Sequence, residues 1–276
     1  MKLSLCNEVL RELPLAAQCE MAAGLGYQGL ELAPFTLFQD SSELDAALAS
    51  RVRETVQAQG LQVSSLHWLL VQPEGLTMVG PQGPAREATF DWIRRLIDFA
   101  QACGAQVLVH GSPAQRNPQP GQSLQDARQR LQDMLARIAP LAQQAGLTYC
   151  LEPLSPAETV LVNTVQEASE MVRAIGSPAL RTMLDASAAS QAESEPIDRV
   201  LSRHLRSGDI AHVQVNDRNR RGPGQGDTDL LPLVRVLRQE DYDGWIAVEP
   251  FVYHPDGPTT AAFCAGHMQA LWKACA

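Results

Sequence analysis

Aromatic residues make up only 5% of the 276-residue chain, so its core has to be aliphatic and alanine-rich. No apolar run approaches the length of a membrane span. The first residues carry charges at Glu8, Arg11 and Glu12 and contain no signal-peptide apolar region. The six cysteines, Cys6, Cys19, Cys103, Cys150, Cys264 and Cys275, form no CxxC pair and no dense framework, and read as thiols of a reducing compartment. A cytoplasmic protein without a membrane partner is expected. Positive charge is also short: 22 Lys and Arg against 31 Asp and Glu leave a net charge of −9, which repels nucleic-acid phosphates. No G-x-G-x-x-G or P-loop follows any apolar run, which removes the dinucleotide and nucleoside-triphosphate fingerprints.

What is present is a repeated unit. Apolar runs predict strands at 2–6, 29–32, 61–68, 105–109, 147–151, 180–184, 210–215 and 245–248. Helical patterns follow them, at 41–57, 86–103, 123–145, 164–175, 195–204, 230–239 and 259–276, with a shorter one opening at Pro14. Gly24, Gly60, Gly104 and Gly146 punctuate helix ends, and Pro34, Pro153 and Pro250 punctuate strand ends. Near-continuous apolar strands alternating with helices are the pattern of a parallel sheet covered on both faces. Eight such units predict a single α/β domain over residues 1–276, a (β/α)8 TIM barrel. A doubly wound open sheet is the structural competitor, and it lacks its phosphate-binding turn here.

On a barrel the C-terminal strand ends share one rim, where chemistry collects. Those ends read Glu31, His67, His110, Glu152, Asp185, Gln214 and Glu249. Singly, each acid is also explained as a helix N-cap or a surface charge. Together, three carboxylates converge with an amide, and the three carboxylates repel one another unless a cation sits among them. The all-oxygen set Glu152, Asp185, Gln214 and Glu249 suits Mg²⁺ or Mn²⁺ better than Zn²⁺ or Cu²⁺. Glu152-Pro153 and Glu249-Pro250 repeat one strand-end dipeptide. The seventh strand runs into a loop with Arg218, Arg220 and Arg221 followed by Gly222-Pro223-Gly224-Gln225-Gly226.

The order YCLEP, TMLD, HVQVND with its PGQG loop, and IAVEP resembles the xylose isomerase-like TIM-barrel superfamily of sugar isomerases and epimerases. That resemblance implies a divalent ion, Mn²⁺ or Mg²⁺ with Co²⁺ or Zn²⁺ as alternatives, held by Glu152, Asp185, Gln214 and Glu249. It implies Glu152 and Glu249 as the catalytic acid and base, and Glu158 and Arg220 as substrate contacts. Two positions depart from the pattern of ketose 3-epimerases: Gln214 stands where they carry His, as in the hydroxypyruvate isomerase branch, and Ala188 replaces a second His. The family's endonuclease branch needs histidines at both places, so nucleic acid is not an expected partner. His67 and His110 are candidate substrate contacts, the other reading being buried histidines bonded to backbone. Trp68 and Phe35 read as rim walls suited to the C–H face of a sugar. The expected activity is metal-dependent isomerisation or epimerisation of a small keto sugar, sugar acid or hydroxy-keto acid through an enediolate. A metal-dependent dehydratase and a non-catalytic sugar-binding barrel are the alternatives, and a homodimer or homotetramer is expected.

Overall fold

A computed structural model describes residues 1–275. Eight parallel strands close a barrel in sequence order: β1 (Lys2–Cys6), β2 (Gly29–Leu32), β3 (Gln62–Leu66), β4 (Val107–His110), β5 (Thr148–Leu151), β6 (Leu180–Asp185), β7 (Ile210–Val215) and β8 (Trp245–Val248). β8 pairs with β1 through Lys2–Trp245 to Leu5–Val248, which completes the closure. The predicted (β/α)8 architecture is the observed one.

Among the described residues ten α-helices surround the strands: α1 (Leu15–Gly24), α2 (Ala46–Ala58), α3 (Pro84–Cys103), α4 (Pro113–Arg116), α5 (Leu124–Ala145), α6 (Val165–Ile175), α7 (Ala186–Ala192), α8 (Ile197–Arg206), α9 (Leu231–Gln239) and α10 (Gly257–Ala274). The helix expected at 41–57 is divided. Asp40 caps a 3-10 turn, Ser41–Glu43, and Asp45 starts α2 by accepting from the Leu48 amide at 2.8 Å. A carboxylate accepts helix N–H groups as well as a serine does, and two such caps in succession break the helix. The short α4 and α7 were absent from the sequence reading because neither is long enough for a 3.6-residue periodicity to show. The closing helix was expected to reach Ala276, which lies outside the described residues.

Side chains alternate along each strand. Leu3, Leu5, Leu30, Leu32, Leu66, Leu108, Leu151, Leu184, Val213, Val215, Ile246 and Val248 join the core between barrel and helices. Val107, Val109, Cys150 and Met183 form a separate cluster inside the barrel. At the lower end the Trp245 ring fills the lumen against Gly29, where a Cβ would lie 2.9 Å from the indole. The lumen is therefore a packed core, and only its C-terminal mouth is open to chemistry. No helix among the described residues is long and apolar enough to cross a membrane.

Candidate metal centre and active site

The inward parity that buries Cys150 and Met183 carries on to Glu152 and Asp185, and the same parity on β7 and β8 turns Gln214 and Glu249 inward. Oxygens of Glu152, Asp185 and Glu249 lie within 4.8 Å of one another, and all three residues are buried. Gln214 lies beside Asp185 in the β6–β7 register and opposite Ala247 of β8. Burial raises the Glu152 pKa well above the carboxylate range, with the Glu249 and Asp185 charges adding to it. Burial likewise pushes Asp185 up to about 7 and Glu249 to about 8, against hydrogen bonds from Ala188 and Asn216 on the first and from His67 on the second. Three carboxylates in this state are short of positive charge.

The unmet bonding capacity faces the same way. Gln214 Oε1 and Glu249 Oε2 are buried and without a hydrogen-bond partner among the described residues. Buried polar atoms are normally satisfied. Two orphaned oxygens beside Glu152 and Asp185 make a donor set of carboxylate and amide oxygens, which fits a hard divalent cation. Cys6, His67 and Glu249 form a second close group. Cys6 does not act as a thiolate there, because burial and the Glu31 charge raise its pKa and the thiol donates to Glu31 Oε1 at 3.1 Å.

Each acid is held from the side. Asp185 is both the N-cap of α7 and a member of the cluster: Oδ1 accepts from the Ala188 amide at 2.7 Å and Oδ2 from Asn216 Nδ2 at 2.7 Å. Glu249 Oε1 sits 3.0 Å from His67 Nδ1, and His67 Nε2 sits 2.6 Å from Glu8 Oε2. Burial would lower the His67 pKa, but the charges of Glu8 and Glu31 and its two hydrogen bonds raise it well above the usual value. The imidazolium donates to both carboxylates. Arg116, fully buried, donates from Nη1 to the backbone carbonyl of Glu152 at 2.7 Å. Gly111 leaves the space the Glu152 carboxylate occupies, since a Cβ there would run into Glu152 Oε2.

Two cavities open over the cluster. The smaller is lined by His67, Trp68, Ser112, Glu152, Glu249 and Phe251 among others. The larger reaches Glu158, Asp185, Ser187, Ala188, Arg218 and Arg220. Glu152, Leu154, Glu158 and Phe251 line both. Glu158 accepts from Ser155 Oγ at 2.7 Å and lies 3.6 Å from Arg220 Nη1. The Arg220 guanidinium stacks 4.3 Å over the Phe251 ring. Arg220 has φ +68, a left-handed conformation that its carbonyl stabilises by accepting from the amides of Phe251 and Val252 at 2.9 Å each. Phe251 also packs edge-on against Trp68, with ring centroids 6.3 Å apart, and takes the wall position expected of Phe35.

The structure thus brings together Glu152, Asp185, Gln214, Glu249, Glu158, Arg220, Trp68 and His67. It does not bring His110 there. On β4 the inward positions are Val107, Val109 and Gly111, so His110 points outward, fully buried, with Nδ1 2.8 Å from the Tyr149 hydroxyl. Burial lowers its pKa to about 3, which leaves it neutral. His110 lines neither cavity, and of its two readings the buried histidine is the one observed, with a tyrosine hydroxyl as partner in place of backbone. Glu8, Asn216 and Arg116 are supporting residues that the sequence does not single out, and Glu31, read from the sequence only as a strand end, is a fourth. Parity with Gln214 and His67 is a signal that places Glu31 and His212 in the lumen; Glu8 lies in the 3-10 helix Asn7–Leu10 and Arg116 ends the four-residue α4, and neither carries such a signal.

A family model for the xylose isomerase-like TIM barrel matches residues 19–269. The chain is 26% identical over 261 residues to hydroxypyruvate isomerase of Escherichia coli (strain K12), a match that covers 91% of this chain and 92% of that one. It is 25% identical over 180 residues to a probable ketose 3-epimerase of Synechocystis sp., covering 65% of this chain and 62%, less than two thirds, of that relative. A solved L-ribulose 3-epimerase has the same fold, with a TM-score of 0.83 at 18% identity over 99% of this chain and 95% of that one. With the closed eight-stranded barrel and a match over nearly its whole length, the chain belongs to the xylose isomerase-like TIM-barrel family.

Proposed function

We propose that the protein is a divalent-metal-dependent isomerase or epimerase of a small keto sugar, sugar acid or hydroxy-keto acid. The observation that carries this reading is the pairing of three buried carboxylates with the orphaned oxygens of Gln214 and Glu249 under an open cleft. The similarity to a hydroxypyruvate isomerase and a probable ketose 3-epimerase supports the same chemistry.

Glu152 and Glu249 arrive from β5 and β8, with β6 and β7 between them, so a substrate carbon over the cluster meets a carboxylate from each side. One takes the proton from the carbon beside the carbonyl, and the other returns a proton to the enediolate, at the same carbon for an epimer or at its neighbour for an isomer. A divalent cation held by Glu152, Asp185, Gln214 and Glu249 would acidify that C–H bond and offset the charge that develops. Glu158 and Arg220, tied to each other and facing the larger cavity, position substrate hydroxyls. Trp68 and Phe251 offer an apolar wall to the C–H face.

The test measures bound Mn²⁺ or Mg²⁺ on the purified chain and follows ¹H/²H exchange of a panel of ketoses and keto acids in D₂O. Exchange at the carbon next to the carbonyl, lost in Glu152→Gln and Glu249→Gln, is the expected result. A chain that binds no divalent ion and exchanges no substrate refutes the proposal. Formation of an ultraviolet-absorbing enone in place of exchange assigns the dehydratase chemistry instead.

A further inference from the structure

Glu31 is a fully buried carboxylate on β2 that belongs to no ligand set and contacts no cavity described above. We propose that it is the positioning residue that sets which end of the Gln214 amide faces the metal centre. The inference rests on Gln214 being a metal ligand.

The argument is one of donors and acceptors. Glu31 Oε1 accepts from Gln214 Nε2 at 2.6 Å and from Cys6 Sγ at 3.1 Å. Glu31 Oε2 accepts from Ser65 Oγ at 2.5 Å. His212 Nε2 lies 2.7 Å from Oε2 without hydrogen-bond geometry, and His67 Nδ1 lies 3.6 Å from Oε1. Every group hydrogen-bonded to this carboxylate donates to it, so only the NH₂ end of an amide can face it. An amide turned through 180° would set its oxygen against a buried carboxylate, with no donor between the two acceptors, and would take the Nε2 hydrogen bond away from Glu31, an arrangement that costs free energy. The NH₂ group is therefore committed to Glu31, and Oε1 is the atom left for the cluster. It is this oxygen that lacks a partner. An amide has no charge to orient it, unlike the carboxylate ligands beside it, so a fixed acceptor behind it replaces what charge does for the others. Groups of this kind behind a ligand typically contribute about 10–100-fold in metal affinity.

The test is a double-mutant cycle read by Mn²⁺ titration calorimetry on the full chain, without substrate. Glu31→Gln is expected to weaken Mn²⁺ binding about 10–100-fold. Gln214→Ala weakens it as well, and adding Glu31→Gln to Gln214→Ala produces no further loss, because Glu31 acts through Gln214. If Glu31→Gln binds like wild type, or costs the same factor with Gln214 absent, Glu31 acts as structure or as bulk negative charge, and this inference is overturned while the metal centre stands. Wild type that takes up no Mn²⁺ overturns the metal-centre reading itself. Should Glu31→Gln fail to fold, the wild-type chain decides. Its Gln214 side-chain amide protons, identified by their loss in Gln214→Ala, stay protected from solvent exchange with and without Mg²⁺. Fast exchange in the Mg²⁺-loaded protein overturns the inference.

Discussion

Strands β5 to β8 bring Glu152, Asp185, Gln214 and Glu249 to the rim, whereas the first three strands and the turn after β1 bring Glu8, Glu31, Ser65 and His67. The two groups differ in how completely their bonds are made. Glu31 receives a hydrogen bond on each oxygen and His67 is bonded at both nitrogens. Among the described residues Gln214 and Glu249 each keep one buried oxygen without a partner. Side chains whose hydrogen bonds are made can hold geometry, and those with unpaired oxygens at the rim can receive a ligand. β4 takes neither part: its inward residues are Val107, Val109 and Gly111, which contribute volume and space.

The largest effects should come from the second half. Glu152→Gln and Glu249→Gln each remove one proton-transfer carboxylate at constant shape. Turnover should fall about 10²–10⁴-fold, in steady-state rates and in ²H exchange alike. If either variant keeps wild-type exchange, the division between the halves is wrong. His67→Ala should be milder, because it frees Glu249 Oε1 without removing the carboxylate. The expected loss is about 10–100-fold in kcat with KM within about twofold, the magnitude of other groups that orient a site residue. A loss confined to KM would instead make His67 a substrate contact.

Stability against pH sharpens the same contrast with opposite signs. Asp185 and Glu249 have pKa values raised to about 7 and about 8 in the folded chain, so their stabilising contribution is present at low pH and is lost as pH rises through those values. Glu31, which burial alone would raise, is held well below the carboxylate range by His212 and His67, so its contribution is lost only as pH falls below about 4. The metal-free chain should therefore unfold at lower urea at pH 8.5 than at pH 5.5, and Mn²⁺ should remove most of the difference. Equal midpoints in the metal-free chain would contradict the charge balance described here. The smallest effect on activity belongs to His110→Phe. It strands the Tyr149 hydroxyl and should cost about 1–3 kcal/mol in stability, measured by urea unfolding, with kcat/KM unchanged. A fall in kcat/KM would return His110 to the site.

Much of this was legible in the chain. The alternation of apolar runs with helical periods, punctuated by Gly and Pro, is local information, and it located all eight strands to within a few residues. Glu152, Asp185, Gln214 and Glu249 were legible because a strand end is a position in sequence as well as in space. His110 was left with two readings for a related reason: it is the last residue of β4, but being last does not say which way a side chain points. Parity does, and Val109 and Gly111 have it.

What the sequence by itself determined is the barrel and the identity of the oxygens on its rim, since both follow from the order of residues along single strands. What only the tertiary structure decided is how those oxygens are held. His67 meets Glu249 across 182 positions and Glu31 meets Gln214 across 183. Closure of β8 onto β1 draws such partners together, and the choice of which atoms pair is made by packing in the lumen, where donors and acceptors have no water to turn to.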